Sequence, residues 1–330
     1  MYQHHELIQS LADGRFHSGQ ELGRLLHVTR SSVWKKLQQI KQKYSLEIDA
    51  VSGRGYRLRE ALDLLNPDTI QAMLRTEGIE PLPALVLHAC IDSTNSWLMQ
   101  HAANGAELGT VCVAEQQLAG KGRHGRKWIS PFGRNIYLSM LWRFEEPPMQ
   151  LAGLSLASAI AVKRLLHQIN CDQAGLKWPN DVLWQGKKLA GLLLEVTGEA
   201  GGPSQVVIGI GLNTSLGSHG DDIDQPWVDL SAIPNIMPFT RNQLVSKLIR
   251  HLRDVVGEYQ AGGLASFTEE WHQHDLFLGE QVEIRSHNRV HTGEHLGIDG
   301  NGAIRLHCDG EEQSFHAGEV SLRRAVDKLL

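Results

Sequence analysis

Cysteine is scarce and scattered in this chain. The four that occur, Cys90, Cys112, Cys171 and Cys308, form no C-x-x-C pair, so neither a disulfide framework nor a cysteine zinc site is expected, and the thiols read as buried. Long apolar runs are also missing. The longest, Leu151 to Val162, is too short to span a bilayer, and Met1-Tyr-Gln-His-His-Glu lacks the basic and apolar regions of a secretion signal. A cytoplasmic protein with no membrane partner is expected. The 17 histidines show no ligand cluster. His287-Asn-Arg-Val-His291-Thr-Gly-Glu imitates the second half of a zinc finger, but no cysteine lies between Cys171 and Cys308 to supply the first half, so no protein-bound metal is expected.

A length of 330 residues, 42% hydrophobic and 21% charged, fits a soluble globular protein of two or three domains. Charge is uneven. Residues 1–62 carry ten Lys and Arg against six Asp and Glu, a net +4 within a chain whose total is −5. A basic N-terminal module therefore precedes an acidic body.

That module reads as two helices and a hairpin. Ser18-Gly-Gln-Glu21 fits a capping box opening a short helix through Leu22, Leu25 and Leu26. Thr29 caps a second helix in which Val33, Leu37, Ile40 and Tyr44 line one face, leaving Ser31, Lys35, Gln38 and Gln42 on the other, where they can bond base edges and phosphates. Leu46-Glu-Ile-Asp-Ala and Tyr56-Arg-Leu-Arg59 pair around Ser52-Gly-Arg-Gly55, a wing with Arg54 at its tip. A three-helix protein-interaction module is the alternative; the positive balance favours DNA. Residues 63–83, with Pro67, Pro81 and Pro83 around one amphipathic segment, suit a linker.

The body is organised around Glu115-Gln-Gln-Leu-Ala-Gly-Lys-Gly-Arg-His-Gly-Arg-Lys-Trp128. Gly120, Gly122 and Gly125 would permit positive φ and bring N–H groups close to a ligand, and Lys121, Arg123, Arg126 and Lys127 supply charge for an anion. The G-x-G-x-x-G spacing is not a dinucleotide fingerprint, since Pro131 and Gly133 follow where a helix must begin, and Gly122 excludes a Walker A loop. A solvated basic loop is the plain alternative. Strands at Leu85–Ala89, Thr110–Ala114 and Asn135–Trp142 surround the loop, and Leu151–Ile169 reads as a core helix. Asp92-Ser-Thr-Asn95 either starts a helix or grips a polar ligand. Lys-Trp-Pro-Asn-Asp181 leads to a hairpin of Val182–Gln185 and Lys187–Val196 turning at Gly186. Lys177 and Lys188 flank it, and Gln205–Asn213 forms another strand. Helices at Arg241–Tyr259 and Phe267–Trp271 precede short strands from about Gly279, which suggest a small β-barrel.

Ser93-Thr94-Asn95, the Gly-Lys-Gly-Arg-His-Gly-Arg-Lys-Trp loop, Lys-Trp-Pro-Asn-Asp, Lys-Leu-Ala-Gly and Gly-Ile-Gly-Leu-Asn, in this order behind a winged helix-turn-helix, resemble the bifunctional biotin protein ligases and biotin operon repressors. The resemblance covers essentially the whole chain. It implies an α+β multidomain protein: a winged helix-turn-helix (1–62), a linker (63–83), a class II synthetase-like mixed α/β catalytic domain (84–272) and an SH3-like barrel (273–330), with Glu319-Val-Ser-Leu-Arg323 similar to the family's closing motif. It further implies that biotin and Mg-ATP react to biotinyl-5′-adenylate, that biotin passes to a lysine of a carboxyl carrier protein, and that the adenylate-bound homodimer represses at operator DNA.

Carried onto this sequence, Ser93, Thr94, Asn95 and Gln117 would bind the ureido head of biotin beside Gly120. Arg123, Arg126 and Lys188 would hold carboxylate and phosphates, Trp128 would stack on adenine, and Asn213 would position the nucleotide. Asn180 and Asp181 would order the region and orient the incoming lysine or the Mg2+. The dimer would form by edge pairing of Val206–Leu212 with its twin. Lys121 stands where the family usually has Arg, and a compact ammonium cannot make the bidentate fork. Two rivals remain, a lipoate-type acyl ligase and a repressor that only senses a small ligand; the cation-rich loop with Lys188 favours adenylation over sensing, and biotin over lipoate rests on the resemblance.

Overall fold

The computed structural model describes residues 2–286, 289–318 and 321–325. Helix α1 (Tyr2–Leu11) buries Leu7, Ile8 and Leu11, an amphipathic turn absent from the sequence-based expectations. Helix α2 (Gly19–Leu25) starts where Ser18 Oγ accepts the Glu21 N–H at 3.1 Å. Thr29 caps α3 (Arg30–Tyr44) through the Ser32 N–H, Val33, Leu37, Ile40 and Tyr44 are buried as their spacing requires, and Ser31, Lys35, Gln38 and Gln42 are exposed. Strands β1 (Ile48–Val51) and β2 (Gly55–Leu58) make the antiparallel wing, with Ile48 opposite Leu58. Arg54 does not project freely from its tip; its guanidinium lies 4.2 Å from the Phe16 ring centroid.

The expected linker is not a loose tether. Asn66 caps α4 (Pro67–Thr76), and Ile70 and Leu74 are wholly buried in the core of the central domain. That domain is a seven-stranded sheet in the order β3-β4-β5-β9-β8-β7-β6, parallel between β3 (Leu85–His88) and β4 (Val111–Ala114) and otherwise antiparallel. Strand alternation sorts side chains between the faces. In β4, Val111 and Val113 join the large core with α6 (Leu154–Gln168) and α7 (Arg241–Gly262), whereas Cys112 faces α5 (Thr94–Ala102) with Leu98, Leu141 and Val207. Strand β6 (Ala174–Lys177), a further element the sequence pattern does not mark, closes one edge. The helical stretch Pro148–Gln168 is long and apolar enough to cross a bilayer, contrary to the shorter run read from the sequence; most of it is buried in this core.

Strand β9 (Ser204–Leu212) is interior, paired along its length with β5 (Ile136–Phe144) and with β8 (Lys187–Gly198). The expectation that Val206–Leu212 offers an edge is therefore wrong. The free edge belongs to β8: its partner β7 (Asp181–Trp184) pairs no further than Gly191 and Asn180 bonds Leu192, so among the described residues only Leu193–Gly198 lacks a strand on its second side.

After α8 (Thr268–His274) the chain forms β10 (Gln281–Ser286), β11 (Arg289–Ile298), β12 (Ile304–Cys308), β13 (Glu311–Phe315) and β14 (Ser321–Arg324), an antiparallel sheet ordered β13-β12-β11-β10-β14. No ladder joins β13 to β14 among the described residues, so the sheet is open where a closed barrel was expected. His287, Glu319 and Val320 lie outside the described residues. A buried pair anchors this sheet to the central domain: Asp275 accepts from His295 Nε2 at 2.8 Å and from Trp271 Nε1 at 3.2 Å.

Candidate functional site

The glycine-rich loop is pinned at both ends. At its start Glu115 is fully buried, and its carboxylate accepts from the Leu65 N–H at 2.6 Å and from Arg241 at 2.7 Å. Arg241 also donates to the carbonyls of Asp63 and Asn135, so a desolvated charge pair has its donors and acceptors matched. At its end Phe132 enters the core of the N-terminal domain, 4.8 Å from the Tyr44 ring.

Between these anchors the loop folds back on itself: Lys121 bridges Lys127, Gly122 N–H donates to the Arg126 carbonyl at 2.7 Å, and Trp128 N–H to the Gly120 carbonyl at 2.8 Å. Positive φ occurs at Gly125 and at His124, not at Gly120 or Gly122. Gly120 is required for space instead, since a Cβ there would stand 2.5 Å from the Trp128 carbonyl oxygen. Lys121 meets Glu195 of β8 at 3.4 Å, a partly exposed pair for which a point charge suffices.

Behind the loop lies a cavity lined by Ser93, Thr94, Asn95, Gln117, Arg123, Arg126, Trp128, Asn180, Asp181 and Lys188. Gly120 does not line it, and Asn213 lies in the adjoining recess with Trp128, Lys188 and Trp227. Part of the cavity lining is neutral and polar. Ser93 caps α5, Gln117 accepts from Thr94 N–H and Oγ, and buried Ser139 donates to Asn95 Oδ1 at 2.6 Å with its oxygen 2.7 Å from Thr94 Oγ1. Ser93 is thus a helix cap, and Ser93–Asn95 also line the cavity. The Asn95 amide is committed to Leu193 O and Glu195, so it braces this wall.

The rest of the lining is largely cationic. Lys121, Arg123, Arg126, Lys127, Lys177 and Lys188 line the cavity with, among the described residues, a single carboxylate, Asp181, which bonds Lys188 at 2.7 Å. Burial lowers the pKa of Lys177, opposed by Asp181 and reinforced by the repulsion of Lys188, Arg323 and Arg126. Burial likewise lowers that of Arg123. An anion placed here would relieve both. Arg123 meanwhile bonds Asn180 Oδ1 at 3.3 Å and the carbonyls of Ala317 and Gly318 in the C-terminal sheet.

Trp128 also lines the cavity, close against two strands. A Cβ on Gly211 would come within 2.3 Å of its ring and one on Gly191 within 3.0 Å; Lys188 Nζ is 5.4 Å from the ring centroid. Its buried Nε1 has no hydrogen-bond partner among the described residues. Asn213 donates to Lys188 O and Val228 O, which makes it a brace for the lysine's backbone.

Sequence reasoning misses Ser139, Trp227 and Glu195. For Ser139 a signal existed, a lone hydroxyl within the apolar run Ile136-Tyr-Leu-Ser-Met-Leu; Trp227 sits in a turn-rich segment without pattern. Ser31, Lys35, Gln38, Gln42 and Arg54 are all on the N-terminal module, outside the cavity lining.

Comparison with known proteins agrees with this geometry. Residues 87–213 match the model of the Biotin/lipoate A/B protein ligase family, 277–323 the Biotin protein ligase C terminal domain, and 4–57 an HTH domain. The Bifunctional ligase/repressor BirA of Salmonella typhimurium is 38% identical over 97% of this chain and 97% of its own, and that of Escherichia coli is 38% identical with the same coverage. The structure of the biotin protein ligase from Aquifex aeolicus in complex with biotin and ATP matches with a TM-score of 0.64 at 28% identity, over 74% of this chain and 100% of that one. The chain belongs to the biotin protein ligase family, within it to the bifunctional ligase/repressors.

Proposed function

We propose that the protein activates biotin with ATP to biotinyl-5′-adenylate, transfers biotin to a lysine of a carboxyl carrier protein, and represses transcription as an adenylate-bound dimer. The observation that carries the catalytic part is the mixed lining of the cavity, in which neutral hydroxyl and amide groups accompany six cations and, among the described residues, one carboxylate. Ser93, Thr94 and Gln117 suit an uncharged polar head, with Asn95 and Ser139 fixing them. A carboxylate oxygen attacks the α-phosphorus of ATP, the bond to the bridging oxygen breaks, and pyrophosphate leaves. No base is needed, because the acid is already ionised. The task is to hold several anions together. Lys188, Arg123 and Arg126 supply fixed positive charge where negative charge develops. The amine of the acceptor lysine then attacks the acyl carbon and adenylate departs.

Magnesium fits as an ion arriving on the nucleotide phosphates, whose charge it neutralises; among the described residues the cavity wall has one carboxylate, too few for a protein cage. Trp128 offers an indole for stacking the adenine, and Trp227 in the adjoining recess offers a second. Names of the relatives support biotin over lipoate. A mass gain of one biotinyl group on a carboxyl carrier domain, with biotin and Mg-ATP and not with lipoate, tests this reading.

For repression, the exposed face of α3 and the basic wing suit operator DNA. The free edge of β8 from Leu193 to Gly198 suits pairing with a second copy. Glu195 on that edge pairs with Lys121 of the loop, so ordering of the loop around the adenylate bears directly on it. We retain an SH3-like assignment for the C-terminal sheet and boundaries after residues 62, 83 and 272, with 63–83 packed as described. Sedimentation with and without biotinyl-adenylate tests the dimer: a monomer under both conditions contradicts it.

A further inference from the structure

We propose that Trp34 is a base-reading residue of helix α3, selecting a thymine in the operator through its C5-methyl group; this rests on the DNA-binding reading above. Trp34 is the fifth residue of the helix, and half of its surface, 51%, is exposed. It lies three residues after Ser31 and four before Gln38, the spacings that make helix residues surface neighbours, so the indole continues the face carrying Ser31, Lys35 and Gln38. In a helix-turn-helix the N-terminal part of the second helix approaches base edges. The core face of the same helix, Val33, Leu37, Ile40 and Tyr44, turns away from it.

Single exposed apolar residues are common on protein surfaces and need no partner. What distinguishes Trp34 is its position among groups suited to DNA: Lys35 for a phosphate, Ser31 and Gln38 for base edges. In the major groove the apolar group available to an indole is the thymine methyl, and the Nε1–H can donate to a base acceptor on the same edge. No side chain on this face competes for that methyl, since Ser31, Lys35, Gln38 and Gln42 all carry polar ends. The wing adds backbone contact through Arg57 and Arg54, which share the Phe16 ring.

The test is selection from a random duplex pool by the full chain with biotin and Mg-ATP, followed by replacement of each thymine of the enriched site by uracil, which removes only the methyl. One replacement should weaken wild-type binding roughly tenfold, within the cost of one mismatched base pair, and leave Trp34→Ala binding unchanged. Trp34→Gln should enrich adenine at that position, as an amide suits adenine N6 and N7. All three proteins should keep equal rates of adenylate formation and equal affinity for a non-specific duplex, which shows that both the catalytic domain and the N-terminal module fold. Enrichment of the same site by Trp34→Ala, with the same dependence on the methyl, overturns the proposal alone. Failure of the wild type to enrich any sequence overturns the DNA-binding reading and the proposal with it.

Discussion

Replacing Lys188 by alanine tests the site where its geometry is most fixed. The lysine's backbone is held on both sides, by Lys188 N–H to Pro226 O at 2.9 Å and Val228 N–H to Lys188 O at 3.0 Å, and its ammonium is 2.7 Å from Asp181. A preorganised donor to a developing anion contributes about 2.7–4 kcal/mol, so single-turnover adenylate formation should fall roughly 10²- to 10³-fold. The fold should survive. Lys188 and Asp181 side chains are 15% and 20% exposed, and Arg123 and Lys177 remain to face the orphaned carboxylate. Biotin affinity measured by calorimetry should change little, because the charge is used most in the transition state.

Arg123→Gly is the control. That guanidinium is already bonded to Asn180 and to the Ala317 and Gly318 carbonyls, so gaining an anion means giving these up. Loss of its charged hydrogen bond, about 1.5–3 kcal/mol, should appear mainly as faster adenylate dissociation. Equal effects of both substitutions on both steps would refute the distinction between a fixed and an exchanging cation.

Other substitutions probe the frame. Arg241→Met leaves the Glu115 carboxylate buried without its partner and should cost about 3–5 kcal/mol in urea unfolding, with much of the loss recovered in the Glu115→Gln double variant; simple additivity would contradict the pairing. Burial pushes the Cys112 thiol from 9.0 up to about 12, so the native protein keeps it protonated while the unfolded chain ionises. Stability should therefore fall as pH rises from 9 towards 12, by up to about 1.4 kcal/mol per pH unit; Cys112→Ala should flatten that slope, and an unchanged slope would assign it elsewhere. Val196→Glu places charge on the free edge of β8 and should abolish adenylate-induced dimerisation in sedimentation while sparing adenylate synthesis; a dimer that persists would place the interface on another surface.

Much of this was legible because periodicity reports burial. Val33, Leu37, Ile40 and Tyr44 mark the buried face of α3, and the glycines and cations of 120–127 mark a loop that faces a cavity. Pairing is a different matter. The apolar run Val206–Leu212 shows a strand but not its neighbours, and its two-sided burial in fact signals an interior position. The edge lies in β8, visible only when β7 is seen to stop opposite Gly191. Roles of individual residues diverged for a similar reason. Gly120 looked like a φ residue and is a space residue, and the amide N–H groups of Asn95 and Asn213 bond Leu193 O and Glu195, and Lys188 O and Val228 O, contacts that the sequence does not show. The brace Ser139 and the buried pair of Glu115 with Arg241 join positions far apart in the chain, a proximity that local patterns do not encode.

In this account the cavity lined by Ser93, Arg123 and Lys188 joins biotin to adenylate. Pyrophosphate release by the full chain with Mg-ATP, followed with biotin, with lipoate and with neither acid, tests it most directly. Release that requires biotin, stops near one equivalent per site without acceptor, and falls by roughly two to three orders of magnitude in Lys188→Ala is the predicted result. Release with lipoate alone, or none with either acid, would contradict it.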